Sequence, residues 1–369
     1  MPKTTETVLE LNLTALGDNY RYLKSRIKDT TKLLGVVKAF AYGSDSVIIA
    51  KELEALGIDY LAVAYVNEGV VLRDAGIKTP ILVLHPQSEN FEILIDRCLE
   101  PSLYSERVLQ RFIKVASKKK QVNYPVHLKF NTGLNRLGFN ESEVNKIVSE
   151  LNATSTIKVI YLFSHLAASE DLTEKDFSES QISTFKTIAK NISNKLSDQP
   201  KLHMSNTSGI LNYPDAQFDM VRSGIGLYGF SNIPEEQKNF TPIASLKSVI
   251  SQIHTVKKGD SVGYNRAFKS GGAIVTATIP IGHADGISRA YGNGKGWVMV
   301  QGVKAPIIGN VCMDMMMINI TGIVCKEGDE AIIFGKQNKA DTLAENIESI
   351  SYELLTAISQ RVKRVVYRK

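Results

Sequence analysis

Lys38 stands directly after the apolar run Leu33–Val37. A cation at the end of a buried strand must find a partner or lose part of its affinity for a proton. A lysine of the second kind is a nucleophile able to form a Schiff base. Further polar groups sit just past other apolar runs. Lys129, Asn131, Thr132, Gly133 and Arg136 lie at the fifth run, and His165 follows the sixth. His203, Asn206, Thr207 and Ser208 mark the seventh, and Arg222, Ser223, Gly224 and Ile225 end the eighth. Small hydroxyls and glycines such as Thr207, Ser208 and Gly224 can hold a phosphate through side-chain and backbone donors. A lysine, a phosphate loop and an arginine able to face a ring nitrogen are together what pyridoxal phosphate requires. The residue types alone leave a second reading open, in which Lys38 packs its stem and pairs its head with a carboxylate.

The elements that must position these residues form a repeat. Eight apolar runs, Leu33–Val37, Tyr60–Ala64, Ile81–Leu84, Pro101–Tyr104, Val126–Phe130, Ile157–Phe163, Lys201–Met204 and Phe218–Val221, alternate with segments of helical period such as Glu106–Lys118 and Glu141–Leu151. That number of βα units predicts an α/β fold, a closed (β/α)8 TIM-type barrel with function at the C-terminal ends of its strands. After Ile233-Pro234-Glu235-Glu236 the pattern turns to long alternating runs: Ala244–Val256, Ala273–Ile281, Trp297–Val303, Met315–Ile320 and Ala331–Phe334. The expectation is a barrel domain over residues 1–236 and a mainly antiparallel β C-terminal domain over residues 237–369. The run Val8–Leu13 fits either domain. Gly292-Asn293-Gly294-Lys295-Gly296 reads as a hairpin turn, Met313, Met315, Met316 and Met317 as core filling, and His85, His127 and His254 as structural.

Composition narrows the class. The 369 residues are 43% hydrophobic and 22% charged, with Gly 26 and Pro 11, which excludes a disordered, collagen-like or disulfide-stapled chain. Net charge is +6, but its densest run, Lys118-Lys119-Lys120, closes an amphipathic segment and reads as a solvated helix end, so no nucleic-acid partner is expected. Cys98, Cys312 and Cys325 form neither CxxC pairs nor an even framework, so no metal site and no structural disulfide is expected. The start of the sequence is polar and the longest uncharged stretches are too short to span a bilayer, so the expected location is the cytoplasm, with no membrane partner.

Five segments carry a family resemblance in order along the chain. Val36-Val37-Lys38-Ala39-Phe40-Ala41-Tyr42-Gly43 resembles the cofactor-lysine motif of alanine racemases, usually written KANAYGHG. Leu128 to Gly138 is similar to their KxDTGMxRLG stretch, and Arg222 to Gly229 to RxGIxLYG. Val262 to Phe268 resembles the GYxRxF segment that bears a second catalytic tyrosine, and Gly309 to Asp314 the GxxCMD loop; Ser351-Tyr352-Glu353 follows.

The resemblance implies a homodimeric isomerase that uses pyridoxal 5'-phosphate to interconvert L- and D-alanine and supplies D-alanine for peptidoglycan. By the same resemblance Lys38 and Tyr264 are the two catalytic bases, Tyr264 reaching the partner's site. Arg136 and the Met313 backbone bind the substrate carboxylate. Tyr42, Thr207, Gly224, Ile225 and Tyr352 hold the cofactor phosphate, Arg222 faces the pyridine nitrogen, and His165 and His203 surround Arg222. Lys129 matches a position that is carbamylated in some members. The alternatives are a racemase of broader range, a barrel-type decarboxylase, which would place a carboxylate where Arg222 stands, and a non-catalytic cofactor-binding protein. The chain departs from the common pattern at Phe40, Ser44, Asn131 and Thr207, and His283 stands where a gate tyrosine is usual.

Overall fold

The structure, a computed structural model, describes residues 4–196 and 198–369. Its first strand, β1 (Val8–Asn12), stands outside the barrel that follows. The barrel consists of β2 (Lys32–Val36), β3 (Tyr60–Val63), β4 (Ile81–Val83), β5 (Glu100–Leu103), β6 (Tyr124–Lys129), β7 (Ile157–Phe163), β8 (Lys201–His203) and β9 (Met220–Ser223). Neighbours run parallel, and β2 pairs with both β3 and β9, which closes the ring. The expected (β/α)8 barrel is present, its strands displaced from the eight apolar runs by no more than a residue or two.

The intervening helices form for ordinary reasons. In Glu106–Lys118, Ser105 caps the N-terminus by accepting the Val108 N–H, and Val108, Leu109, Phe112 and Ala116 make one buried stripe. Glu106 in the first turn and Lys118 in the last complement the helix dipole. Lys118 and Lys119 pair with Glu92 and Asp96, so the basic run is a solvated helix end, as expected.

What sets this barrel apart is a polar interior. The period of two along a strand puts His127 and Lys129 of β6, Tyr161 and Phe163 of β7, His203 of β8 and Arg222 of β9 on the inner side, where their rings and heads meet. Most barrels fill that space with Val, Ile and Leu.

The chain forms two compact units. One comprises Leu16–Ala41 and Ser46–Thr241; the other takes Tyr42–Asp45, Pro242–Lys369 and the described residues up to Ala15. The second unit is built on β10 (Ala244–Val249), β11 (Gln252–Val256), β12 (Ser261–Val262), β13 (Phe268–Lys269), β14 (Ile274–Ile279), β15 (Trp297–Val300), β16 (Val303–Ile308), β17 (Met316–Asn319), β18 (Glu330–Phe334) and β19 (Lys363–Tyr367). Nine strands make one sheet in the order β11-β14-β17-β16-β15-β18-β10-β1-β19, and β12 pairs with β13. The sheet is antiparallel except where β1 runs parallel to β19, so the mainly antiparallel C-terminal domain is also present.

Three local expectations change. The run Ala244–Val256 breaks because Ile250 donates to the Asp329 carbonyl and Ser251 to that of Thr278, so the chain changes neighbours there. Trp297–Val303 is not one strand: Gln301 and Gly302, both left-handed at φ 50° and 76°, turn the chain into the β15–β16 hairpin. The Gly292–Gly296 loop is no hairpin turn; it runs beside the end of β16, with Asn293 donating to Gly309 and Gly294 to Ile307.

Candidate active site

Lys38 stands two residues past the end of β2 and opens a turn of unusual hand. Ala39, Phe40, Ala41 and Tyr42 all have φ between 51° and 54°, followed by Gly43 at 79°. Left-handed backbone costs an L-residue about 1–2 kcal/mol, so this turn must be held from outside. Glu68 holds it: one carboxylate oxygen accepts the Ala39 N–H at 2.7 Å and the other those of Ala64 and Tyr65 at 2.7 and 3.0 Å. Phe40 occupies a left-handed position that the asparagine of the family motif tolerates better. On the strand side of this turn the buried Tyr228 hydroxyl donates to the Val36 carbonyl at 2.9 Å, fixing the end of β2.

The mouth of the barrel gathers cations. Among the described residues Lys38 makes no ion pair, which removes the reading in which its head seeks a carboxylate. Burial lowers its pKa, the Arg136 charge lowers it further, and Glu68 opposes both. Lys129 is buried, lies 5.9 Å from the Phe163 ring centroid, and is pushed down to about 8 by burial and by Arg136, Arg222 and Lys38. Arg136 is exposed, at the end of a loop ordered by Asn131, whose Oδ1 accepts from Gly133 and Asn135 at 3.2 and 3.0 Å. The amide in place of the family's aspartate keeps those bonds and adds one from its Nδ2 to Asn135.

Arg222 lies at the end of β9 with four acceptors. His203 Nδ1 takes a hydrogen bond at 2.5 Å, His165 Nδ1 at 3.0 Å, and the carbonyls of Ser164 and Met204 at 2.9 and 2.8 Å. All four are neutral groups. Burial and the arginine hold both histidines well below the usual imidazole range, which leaves them free to accept. Burial and Arg136 press Arg222 down to about 9, and it stays cationic at neutral pH.

Beside this cluster lies a set of donors suited to a phosphate. The Thr207 hydroxyl shares a hydrogen bond of 3.0 Å with Ser223 Oγ, and Asn206 caps the short helix Thr207–Asn212 by accepting the Gly209 N–H. Gly224 and Ile225 are buried, and neither N–H finds an acceptor among the described residues. Gly226 keeps the cradle open: a Cβ there would come within 2.7 Å of Thr207 Cγ2. Buried unpaired donors next to four cations fit a dianionic group. The donor set, the free amine of Lys38 and the donor-only Arg222 are therefore the complement of pyridoxal phosphate.

The second unit carries the remaining expected residues. The rings of Tyr42 and Tyr352 lie 5.9 Å apart, and burial raises the Tyr42 pKa. Tyr264 is 72% exposed in the single chain, and Met313 59%. Met315 is also exposed, not core filling, whereas Met316 is buried as expected. The Met313 loop is fastened to the His283 turn: His283 donates to the Cys312 carbonyl and Ala284 to that of Met313, both at 2.9 Å. Arg361 bridges Asp285 and Asp314 beneath both. The barrel unit therefore unites Lys38, Lys129, Arg136, His165, His203, Thr207, Arg222, Gly224 and Ile225, while Tyr42, Tyr264, Met313 and Tyr352 lie in the other unit. Glu68 and Glu100 have no signal in the sequence, and His127, read as structural, joins the Arg222 cluster.

Comparison with known proteins agrees with this geometry. A family profile described as "Alanine racemase, N-terminal domain" matches residues 11–232, and one described as "Alanine racemase, C-terminal domain" residues 243–366. The alanine racemase of Sorangium cellulosum is 34% identical, with 97% of this chain and 98% of that protein aligned. The solved alanine racemase of Clostridium difficile 630 is 33% identical with a TM-score of 0.93, covering 99% of this chain and 97% of that one. The alanine racemase of Bartonella henselae, solved with covalently bound pyridoxal phosphate, is 26% identical with a TM-score of 0.90 over 99% of this chain and all of that one. With both domains matched in order and relatives aligned over nearly its full length, this chain belongs to the alanine racemase family.

Proposed function

We propose that the chain interconverts L-alanine and D-alanine by moving the Cα proton between two bases, Lys38 and Tyr264. It is a pyridoxal-phosphate-dependent isomerase of its family. The observation that carries the reading is the Lys38 amine, half-buried, unpaired among the described residues and lowered in pKa at the mouth of a cationic barrel.

Bound pyridoxal phosphate supplies the electron sink that makes the Cα–H of an amino acid acidic. Lys38 holds the cofactor, and its Nζ, neutral in a larger share than an ordinary lysine's, takes or returns the proton on one face of Cα. Tyr264 Oη serves the opposite face, supplied by a second copy of the chain; its exposure in the single chain supports that arrangement. A phenol is a poor base at neutral pH unless a cation favours the phenolate, and Arg136 is that cation. Arg136 and the Met313 backbone take the substrate carboxylate. The Thr207 hydroxyl, the N–H groups of Gly224 and Ile225 and the phenols of Tyr42 and Tyr352 take the phosphate. Arg222, oriented by His165 and His203, keeps its protons and so hands none to a pyridine nitrogen, which restrains side reactions such as transamination.

Lys129, with its pKa at about 8, is available to bind carbon dioxide as a carbamate with release of one proton. The added negative charge turns repulsion from Arg136 and Arg222 into attraction. The working protein is a cytoplasmic homodimer in which the barrel of one copy and Tyr264 of the other build each site, and its D-alanine goes to peptidoglycan. None of the described helices is long and apolar enough to cross a membrane.

Chiral analysis of cofactor-loaded protein incubated with L-alanine, beside a parallel L-serine sample, tests the reading. D-alanine rising to a ratio near one with L-alanine is the expected result, and a comparable serine rate would widen the substrate range. Loaded protein that forms no D-alanine, or that releases carbon dioxide from an amino acid, would overturn it.

A further inference from the structure

The hydrogen bonds of Arg222 do not stop at His203. His203 Nε2 lies 3.3 Å from His127 Nδ1, and His127 Nε2 lies 2.9 Å from Glu100 Oε2. The chain of contacts runs from Arg222, at the C-terminal end of β9, through two fully buried imidazoles to Glu100, the first residue of β5 at the opposite end of the barrel. Flat rings brace it: Phe163 stacks on His203 at 4.6 Å and Tyr161 on His127 at 4.9 Å. The Glu100 carboxylate also acts on Tyr60, whose phenol burial and that charge together hold protonated.

Only one assignment of protons satisfies these contacts. A guanidinium has donors and no acceptor, so His203 must accept at Nδ1 and carry its proton on Nε2. That proton points at His127 Nδ1, which must then be bare, so His127 carries its own proton on Nε2 and donates it to Glu100. Neither imidazole is charged in this arrangement. Every donor faces an acceptor, and the polarity of the line is set by the carboxylate at one end and the guanidinium at the other.

We propose that Glu100 is a positioning residue for Arg222, acting through His127 and His203: its carboxylate fixes both tautomers and so strengthens the acceptor that orients the guanidinium. Carboxylate–histidine couples act in this way on metal ligands, where they fix the tautomer and raise basicity. Among the described residues Arg222 has no carboxylate partner of its own, and the relay brings the effect of one to it without placing a negative charge at the mouth. The part that concerns cofactor chemistry rests on the function proposed above; the tautomer assignment does not.

The test has two arms. Nitrogen-15 NMR of the cofactor-loaded protein labelled at histidine should find His127 and His203 neutral at about pH 7, each protonated at Nε2 and bare at Nδ1. A proton on Nδ1 of either ring, or a charged ring, overturns the relay whatever reaction the protein catalyses, and this arm needs no variant to fold. The second arm compares Glu100→Leu with Glu100→Gln, which keeps an acceptor oxygen for His127. Leucine should shift the absorbance of the bound cofactor and lower kcat about tenfold, the lower end for such outer partners, with KM within about twofold; glutamine should restore most of both. Folded Glu100→Leu protein with the parent's absorbance and kcat overturns the positioning role. If the parent binds cofactor but does not racemise alanine, the absorbance shift and the tautomers still decide this proposal separately from the reaction.

Discussion

The Ala39 N–H donates to Glu68 Oε1 at 2.7 Å, a bond that ties the left-handed turn after Lys38 to the helix Val66–Asp74. The same carboxylate also receives Ala64 and Tyr65, so one side chain satisfies three backbone donors at the ends of β2 and β3. Glu68→Ala should therefore cost about 1–3 kcal/mol in chemical denaturation, the usual penalty when donors lose an acceptor, and glutamine should recover part of it. The Glu68 charge also supports the protonated form of Lys38, so its removal should move the Lys38 pKa further down, readable by NMR titration of labelled lysine. A Lys38 pKa that rises in the variant would contradict the electrostatic account.

Tyr228 secures the other side of the same strand end. It is buried, and its hydroxyl is the donor to the Val36 carbonyl, two residues before Lys38. Tyr228→Phe preserves the ring and leaves that carbonyl unpaired, for an expected loss of about 1–3 kcal/mol. Thermal unfolding measures it. No change in Tm would mean that water reaches the carbonyl and that the bond contributes little.

Much of this could be read from the sequence, for identifiable reasons. The eight runs declared the barrel because parallel strands buried on both faces are short and apolar, and Lys38, His165 and Arg222 stood out as polar residues at their ends. The turn at Ala39–Tyr42 stayed hidden because alanine and phenylalanine give no signal of left-handed backbone; only Gly43 did, and a Cβ there would lie 2.0 Å from the Leu355 carbonyl oxygen. His127 passed as a structural residue because its link to Glu100 and His203 exists only once β5, β6 and β8 are curved into one ring. The β15–β16 hairpin was missed because Lys304 and Pro306 interrupt the apolar pattern of its second strand.

Gly282 is required by close approach. A Cβ at that position would lie 2.4 Å from the carbonyl oxygens of both Cys312 and Met313, the same carbonyls that accept from His283 and Ala284. Gly282→Ala must push the Met313 loop away and break those bonds. The expected loss is about 3 kcal/mol or more, within the range for overpacking combined with lost hydrogen bonds. Substrate affinity should weaken as well, since we propose that the Met313 backbone takes the substrate carboxylate. Differential scanning calorimetry and the KM for alanine read the two effects; a variant as stable as its parent would show that the loop yields without cost.

Lys129 gives a prediction with a definite sign. Its pKa is lowered from 10.5 to about 8 in the folded chain by burial and by neighbouring cations. Below about pH 8 both folded and unfolded states carry the proton, and the full penalty of a buried charge is present. Between about pH 8 and 10.5 the folded state gives up its proton first, the unfolded state binds more protons, and this group's contribution to stability improves as pH rises. At about 1.4 kcal/mol per pKa unit the penalty at neutral pH is at most about 3.5 kcal/mol. Lys129→Met should thus be more stable than its parent near pH 7 by up to that amount, with the gap closing from pH 8 upward. Carbamylation adds a second signature, because it consumes the neutral amine and supplies a negative partner for Arg136 and Arg222. Bicarbonate should raise the parent's Tm relative to buffer free of carbon dioxide and leave the methionine variant unmoved. A parent that responds to pH as stated but not to bicarbonate would keep the buried-lysine account and remove the carbamate.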